Sequence, residues 1–584
     1  MRLIFDIETD GIEASKVHCI VAKDADDITI YQFANDRLDE GVQFLLDADE
    51  LIGHNIMGYD LPVLDQLYGF DYKGKITDTL IVSRLIFSDL KERDFDLYRA
   101  GKVAARNIGS HSLKAWGIRL GELKGDFAEQ TDWSEFSQEM LNYCTQDVKV
   151  TDKLYKKLQE VEYSEEAIEL EHQIHAACLE QTDNGFPFDV EKAMLLYAEL
   201  KDKATAIDRQ LQEKFGGWWE SKGVTTPKQN RGITIQDAPY TKIKWVTFNP
   251  NSRHHICKKL IEMGWEPKEF TNSNQPKIDE KVLNTIDLPE AAQLKEYLLL
   301  QKRIGQLAEG KQAWLKLEKD GLIHGRVTTM GTITSRCSHQ NPNVGQVPST
   351  GAPYGHECRE LFHAPKGWKL LGMDMSGLEL RCLAHFTAIW DEGSYAKALL
   401  EGDIHTENQL AAGLPDRDLA KRFIYAFLYG ASDLKIGQVV GGSAQQGKKL
   451  RERFLAKTPA IKNLREAVAK KVKDKGFLTG LDGRLFPVRS AHSAVNVLLQ
   501  GTGAILCKAW VVEYNKQLKA AGLQDKYKQV AFVHDEVQLL VKEGYDEQIA
   551  KIGIKAIQDT GKRFKFRLPL DGEYKVGSNW AETH

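Results

Sequence analysis

The sequence predicts an α/β domain over roughly the first 165 residues, then a helical arm, then a larger region in which strands and helices mix. Three observations predict this. The chain has 584 residues, too many for one hydrophobic core. Its first segment alternates short apolar runs with amphipathic helical periods, the pattern of an α/β domain. Beyond it, helical stretches flank a segment rich in Gly, Thr, Lys and Pro, from Gly216 to Tyr240, as in a projecting arm with a mobile insertion at its tip.

Taken in order, RLIFDIET is an apolar run ending in a turn at Asp10-Gly11, and DDITIYQF is a second strand. LIGHNIMGYDLPVL reads as strand, loop and helix start, and EMLNYCTQDVKVTDKLYKKL as a long amphipathic helix. From Glu166 to about Gln210 the pattern is helical, interrupted at Asn184-Gly185-Phe186-Pro187, and a helix resumes through AAQLKEYLLLQKRIGQLAEGKQAWLKL. The rest is strand-rich from about Leu322, helical from Ile404 to about Lys475, and mixed to the C-terminus.

Composition excludes little. A hydrophobic content of 42% and a charged content of 28% are ordinary for a globular protein. The formal net charge of -5 does not count against nucleic-acid binding, which depends on a local basic surface. The eight cysteines contain no CxxC pair and read as reduced and intracellular. No basic-then-apolar leader opens the chain and no apolar run is judged long enough to span a membrane, so the expected compartment is the cytoplasm of a bacterium or of an infected one.

Asp6 and Glu8 stand two apart on the first strand and leave the same face. Adjacent carboxylates are costly there unless a cation neutralises them, and magnesium prefers such hard oxygen ligands. Asp60 in GHNIMGYD is a third candidate and Asp147 a fourth, one helical turn after Tyr143. Singly, each has an ordinary explanation as a polar strand end or a core residue. The ordered set DxE, HNxxxxD, YxxxD is far more specific, and it resembles the DEDD exonucleases, in the branch with a tyrosine in the third motif. That resemblance implies an RNase H-like 3′→5′ exonuclease domain. Asp6, Glu8, Asp60 and Asp147 would hold two metal ions there, and Tyr143 would help place the attacking water. Asp78 in ITDTL is ranked as structural.

The C-terminal half carries three motifs. LLGMDMSGLELRCLAHF is a strand that delivers Asp374 and runs into a helix, where Ser376 and Glu379 fit a capping box. In RDLAKRFIYAFLYG, Arg417, Lys421, Tyr425 and Tyr429 recur every four residues on one helix face, two cations followed by two aromatics. VAFVHDEVQLLV places His534, Asp535 and Glu536 at a hairpin tip, unusual in a buried sheet unless the acids serve a metal. Asp374 and Asp535 are the pair suited to a two-metal phosphoryl transfer.

With these motifs in view, the chain resembles family A DNA polymerases, and among them the replicative enzymes of short-tailed bacteriophages related to T-seven. GSHSLKAWGIRLGE, NGFPFD, FNPNSRHHI, QKRIGQ, SGLELRCLAHF, GDIHTENQLAAGLP, FIYAFLYGA, LDGRLFPVRS, VHDE and NWAETH carry the likeness. It implies a right-hand arrangement behind the exonuclease domain (1–165): thumb 166–325 with a mobile insertion near 216–244, palm 326–402 and 479–584, fingers 403–478. It also implies DNA synthesis on a primer-template from deoxynucleoside triphosphates, with two Mg2+ ions in each active site for which Mn2+ can substitute. Asp374 and Asp535 match the metal ligands and Glu536 a supporting acid. Arg417, Lys421, Tyr425 and His405 match nucleotide contacts, and Glu379 the residue that blocks a ribose 2′-hydroxyl. Arg336, Gln500 and His534 match residues checking the minor groove of the new pair. Lys302 and Arg303 match thumb cations on duplex phosphates. A tyrosine at Tyr425 implies acceptance of dideoxynucleotides.

Two departures set further expectations. The exonuclease motif starts at residue 6, so nick translation by an additional 5′-nuclease domain is not expected. The phage T-seven enzyme captures host thioredoxin with a long thumb insertion. The corresponding piece here, about Gly216 to Lys244, is shorter, although Trp218, Trp219 and FNPNSRHHI are retained, so thioredoxin dependence is expected to be weak or absent. A phage helicase–primase and a single-strand binding protein are the other partners implied. The rival readings are a single-subunit RNA polymerase, against which Glu379 and the exonuclease motifs argue, and a catalytically dead subunit, against which six intact carboxylates argue.

Overall fold

The N-terminal sheet follows from the spacing of apolar residues on its first strand. In β1 (Arg2–Thr9), Leu3, Phe5 and Ile7 point into one core, while Ile4 points into another, shared with Leu141, Cys144 and Val148 of the helix Gln138–Gln159. Asp6 and Glu8 alternate onto the Ile4 face and so look toward that helix. The sheet order is β3 (Ile30–Ala34), β2 (Val17–Asp24), β1, β4 (Glu50–Gly53), β5 (Lys75–Asp78). The pairs β1–β2 and β2–β3 are antiparallel, and β1–β4 and β4–β5 parallel. The sequence reading omitted β2. Its residues from Val17 to Lys23 are all buried, so they show no alternation to betray a strand.

The computed structural model describes residues 1–122, 132–271 and 273–584. It divides into two units: Met1–Gly185 with Gly325–Gln346 and Ala364–His584, and Phe186–His324 with Val347–His363. The first unit holds a second sheet, entirely antiparallel, in the order Tyr527–Val533, Glu536–Lys542, Trp368–Met375, Gly572–Gly577. Behind it lies the helix Ala494–Ala520, whose Trp510 and Tyr514 are fully buried. By length and composition the segment Ala491–Ala520 could cross a membrane, which corrects the sequence reading. Its apolarity here serves the core, since most of it is buried inside the protein. Helices then run from Ile404–Ala412 through Arg417–Leu428, Asp433–Val439 and Ala444–Lys457 to Pro459–Lys475.

The helix Glu165–Asn184, which the sequence reading gave to the arm, belongs to this unit and packs on Ala494–Ala520. Charge fixes that contact. The Glu171 carboxylate accepts from Lys508 Nζ at 2.6 Å and Arg484 Nη1 at 2.5 Å, and Asp482 accepts from Arg484 Nη2 at 2.6 Å. All four are buried. Burial alone would raise the Glu171 carboxyl, but Lys508 and Arg484 outweigh it and hold the group at about 2.

In the second unit, helices Val190–Phe215 and Pro289–Ile304 pack together. The segment expected as a mobile insertion forms an antiparallel hairpin of Gly217–Thr225 and Tyr240–Thr247, with Trp219 opposite Trp245 at a ring-centroid distance of 5.3 Å. Its Gly, Lys and Pro content masked the aromatic and β-branched residues that pair across it.

Candidate active sites

The first centre gathers on β1. Asp60 opens the helix Asp60–Tyr68, is 4% exposed, and accepts from the Ile7 N–H at 3.2 Å, which lodges it against the backbone between Asp6 and Glu8. Burial pushes its carboxyl up to about 7. The N–H groups of Ile7 and Asp60 oppose that rise, and charge on Asp78 and Asp147 adds to it. Asp147 is also buried, on the helix whose Tyr143 ring meets Trp133 edge-on at 6.3 Å. Asp6, Glu8 and Cys144 present their ligand atoms within 4.8 Å of one another. The donor set suits a hard divalent cation: carboxylate oxygens dominate it. Burial, Cys19 and Asp6 push the Cys144 thiol well above its usual range, so it stays neutral. Asp78 is fully used by the fold, its oxygens accepting the N–H groups of Asn55 and Leu80 at 2.9 Å and Met57 at 3.1 Å.

The second centre sits on the antiparallel sheet. Asp374 lies opposite Glu536 on one neighbouring strand and Glu573 on the other. Asp535 follows His534, whose φ of 60° turns the hairpin, and its carbonyl accepts the Met375 N–H at 3.2 Å. Burial, Glu573 and Glu536 raise the Asp374 carboxyl. Burial and Glu379 raise Asp535 to about 6. Two acids that resist ionisation side by side form a site that a divalent cation relieves. Glu536 differs. Trp580 Nε1 and Gln538 Nε2 donate to its Oε1 at 2.7 and 2.6 Å, and His584 Nδ1 lies 2.7 Å from Oε2. Despite burial these partners hold its carboxyl low. Glu536 therefore anchors the C-terminal NWAETH segment beneath Asp374. Glu573 was missed, because only strand register brings it beside Asp374.

The expected capping box is absent. Gly377, at φ 60°, is the N-cap of the helix Leu378–Asp391, and no side chain caps it. Glu379 instead accepts from Tyr429 Oη at 3.0 Å and Arg336 Nη2 at 3.3 Å. These three line a cavity of about 240 Å³ with His534, Asp535 and Lys508. Tyr425 and Tyr429 stack at 6.3 Å, and His405 lies 6.4 Å from Tyr425. Burial, Arg417 and Lys421 lower the His405 imidazole, so those two cations lie near it, and His405 Nδ1 is buried with no hydrogen-bond partner among the described residues. Lys421 is exposed, while Arg417 forks onto Asp403 at 2.6 and 3.1 Å.

Gln500 is half-buried on Ala494–Ala520 and does not line the 240 Å³ cavity. One turn earlier on the same face, the buried Asn496 Oδ1 has no hydrogen-bond partner among the described residues. The four-residue spacing from Gln500 could have signalled it. Lys302 is exposed on Pro289–Ile304. Arg303 corrects an expectation: it is 5% exposed and donates to Pro353 O at 3.2 Å and Gln306 Oε1 at 2.9 Å, so it holds the fold rather than a phosphate.

Comparison with known proteins shows the family. A family model described as DNA polymerase family A matches residues 227–582, more than half of the chain. The DNA-directed DNA polymerase of Enterobacteria phage T3 is 38% identical, and that of Escherichia phage T7 37% identical, each alignment covering 100% of both chains. The T3 alignment runs over 710 positions against 584 residues here, so more than a hundred of its positions have no residue in this chain. A solved structure, the POL domain of Pol1 from M. smegmatis in complex with DNA primer-template and dNTP, has the same fold. Its TM-score is 0.76 at 16% identity, over 100% of this chain and 96% of that one. The chain thus belongs to DNA polymerase family A, among relatives of the phage T3 and T7 enzymes.

Proposed function

We propose that this DNA-directed DNA polymerase extends a primer 3′ end at Asp374 and Asp535 and removes misplaced nucleotides from it at Asp6, Glu8, Asp60 and Asp147, in the cytoplasm of an infected bacterium. One observation carries the reading: two separate carboxylate clusters have members whose acidity burial and mutual repulsion have weakened. Family A polymerases use divalent metal ions. Held by these two carboxylate sets, Mg2+ would neutralise phosphate charge and lower the pKa of the attacking hydroxyl or water.

The protein's own groups do the rest. Arg417 and Lys421 offer charge to a triphosphate, and Asp403 keeps the Arg417 fork in place until phosphate oxygens replace it. The Glu379 carboxylate, fixed by Tyr429 and Arg336, excludes a 2′-hydroxyl at the sugar. Tyr143 orients water near Asp147. The test is a 5′-labelled primer on a longer template with magnesium. It should lengthen with the four deoxynucleotides and shorten from its 3′ end without them. Bound DNA that does neither would favour a catalytically dead subunit.

Two further outcomes are expected. Tyr425→Phe removes a hydroxyl able to stand in for the missing sugar hydroxyl of a dideoxynucleotide, so discrimination against that analogue should rise on the order of 10²-fold or more. Equal termination by both proteins at one dideoxy ratio contradicts this. Added thioredoxin should leave product length nearly unchanged, because the hairpin Gly217–Thr247 is short. A severalfold increase in length would overturn that expectation.

A further inference from the structure

The hairpin Gly217–Thr247 carries an aromatic face that the rest of its unit leaves exposed. Its two faces differ. Trp218 belongs to the face turned onto the helix Arg253–Glu262, where its ring meets His255 edge-on at 4.8 Å and Lys259 Nζ lies 5.0 Å from the ring centroid. The next residue along a strand points the other way. On that opposite face Trp219 stands across from Trp245, with Ile243 and Val224 farther toward the tip. All four are exposed, Trp219 by 62% and Trp245 by 49%.

The two indoles form a floor and a wall. A Cβ on Gly217 would stand 2.7 Å from Trp245, so that ring lies over bare glycine backbone. Trp219 meets it at a ring-centroid distance of 5.3 Å and an interplanar angle of 70°. A flat aromatic ligand can stack on Trp245 while Trp219 bounds its edge.

Charge narrows the ligand. Between Gly217 and Thr247 stand Lys222, Lys228, Arg231, Lys242 and Lys244 against Glu220 and Asp237, in a chain whose net charge is -5. Glu220 is taken by Lys222 at 2.5 Å, while Lys228 and Arg231, exposed on the connection between the strands, make no ion pair among the described residues. Open rings beside unpaired cations suit a polynucleotide strand, with bases on the rings and phosphates on the cations. A duplex hides its base faces and an acidic peptide has none, so the rings favour a single strand over either.

We infer that this hairpin binds single-stranded DNA without regard to sequence, with Trp245 and Trp219 as its stacking platform and Lys228 and Arg231 as phosphate contacts. Neither carboxylate centre takes part, so the inference stands apart from the proposed function.

The test photo-cross-links the full chain in EDTA to a twelve-residue oligothymidylate carrying 5-iodouracil, a base that couples on irradiation to an aromatic ring stacked against it. Peptide mass mapping should place adducts on Trp219 or Trp245. Excess unmodified oligothymidylate should suppress them, whereas a blunt duplex or polyglutamate of equal charge should not. Affinity is read from the oligonucleotide concentration that half-saturates cross-linking at the hairpin, so strand held elsewhere does not count. Trp245→Leu keeps an apolar residue in the strand and removes the flat ring, and should weaken binding about tenfold or more, with Trp245→Tyr within about threefold of the unaltered protein. Lys228→Gln combined with Arg231→Gln leaves both rings in place and should lower the salt slope of binding by roughly 0.7 for each cation removed. Extension of a matched primer by one nucleotide should be unchanged in every variant. Adducts confined to residues outside the hairpin would overturn the inference, as would equal affinity in Trp245→Leu and the unaltered protein. Equal losses in Trp245→Leu and Trp245→Tyr would trace the effect to hairpin stability and refute stacking. Suppression by duplex or by polyglutamate as strong as by oligothymidylate would refute a single-strand site, the latter in favour of an acidic peptide.

Discussion

Asp374→Asn is expected to lower primer extension on the order of 10³-fold or more while 3′ shortening continues at its normal rate. A carboxylate that holds a catalytic cation is worth several kcal/mol of transition-state stabilisation, and each ~1.4 kcal/mol is about tenfold in rate. The substitution keeps the shape of the side chain and removes its charge. Asp374 stands between Glu536 and Glu573, and burial with these acids raises its carboxyl, so neutralising it relieves repulsion. The variant should therefore melt no lower than the parent in EDTA. A fall in both stability and extension would point to a folding defect. Extension surviving within tenfold would remove Asp374 from the reaction.

Asp6→Ala is the converse, expected to abolish shortening by a comparable factor with extension intact. Its site also has a pH signature through Asp60, whose carboxyl sits at about 7 in the folded chain against 3.8 unfolded. The folded state thus binds this proton more tightly. The stability it contributes is complete below about pH 3.8 and is lost as pH rises to about 7. On the proposed function, a divalent cation held by these carboxylates would take the place of the proton above that range. In EDTA the melting temperature should fall between pH 5 and 8, and magnesium should restore it. Asp60→Asn should remove both dependences. The same melting curve with and without magnesium at pH 8 would deny a cation to this centre.

Parts of each carboxylate cluster were legible as short local spacings, and it was the resemblance to known motifs that joined the distant parts. Asp6 and Glu8 share a strand face, Tyr143 and Asp147 share a helix face, and Asp535 needs a hairpin tip. What the sequence concealed depends on register and distant partners. Glu573 is nearly two hundred residues from Asp374 along the chain and directly across from it in the sheet. Glu536 read as one more acid of the site until Trp580 and His584 closed on it. Glu379 fitted a capping motif, but the positive φ of Gly377 starts the helix without it. Arg303 was expected to be a thumb cation on duplex phosphates only because the resemblance implied it. Its burial follows from which way the helix Pro289–Ile304 faces, and the weak amphipathic pattern there does not reveal this. The pairing of Arg417 with Asp403 likewise joins two helices that local pattern treats separately.

The central claim is that two carboxylate centres do opposite chemistry on one primer end. The most direct measurement supplies a matched primer-template, magnesium and only the next complementary deoxynucleotide, then follows its conversion to monophosphate. The account predicts steady release of monophosphate at constant primer length, abolished by either Asp374→Asn or Asp6→Ala. Turnover that persists in Asp6→Ala, or that never occurs in a protein able to extend the primer, would contradict it.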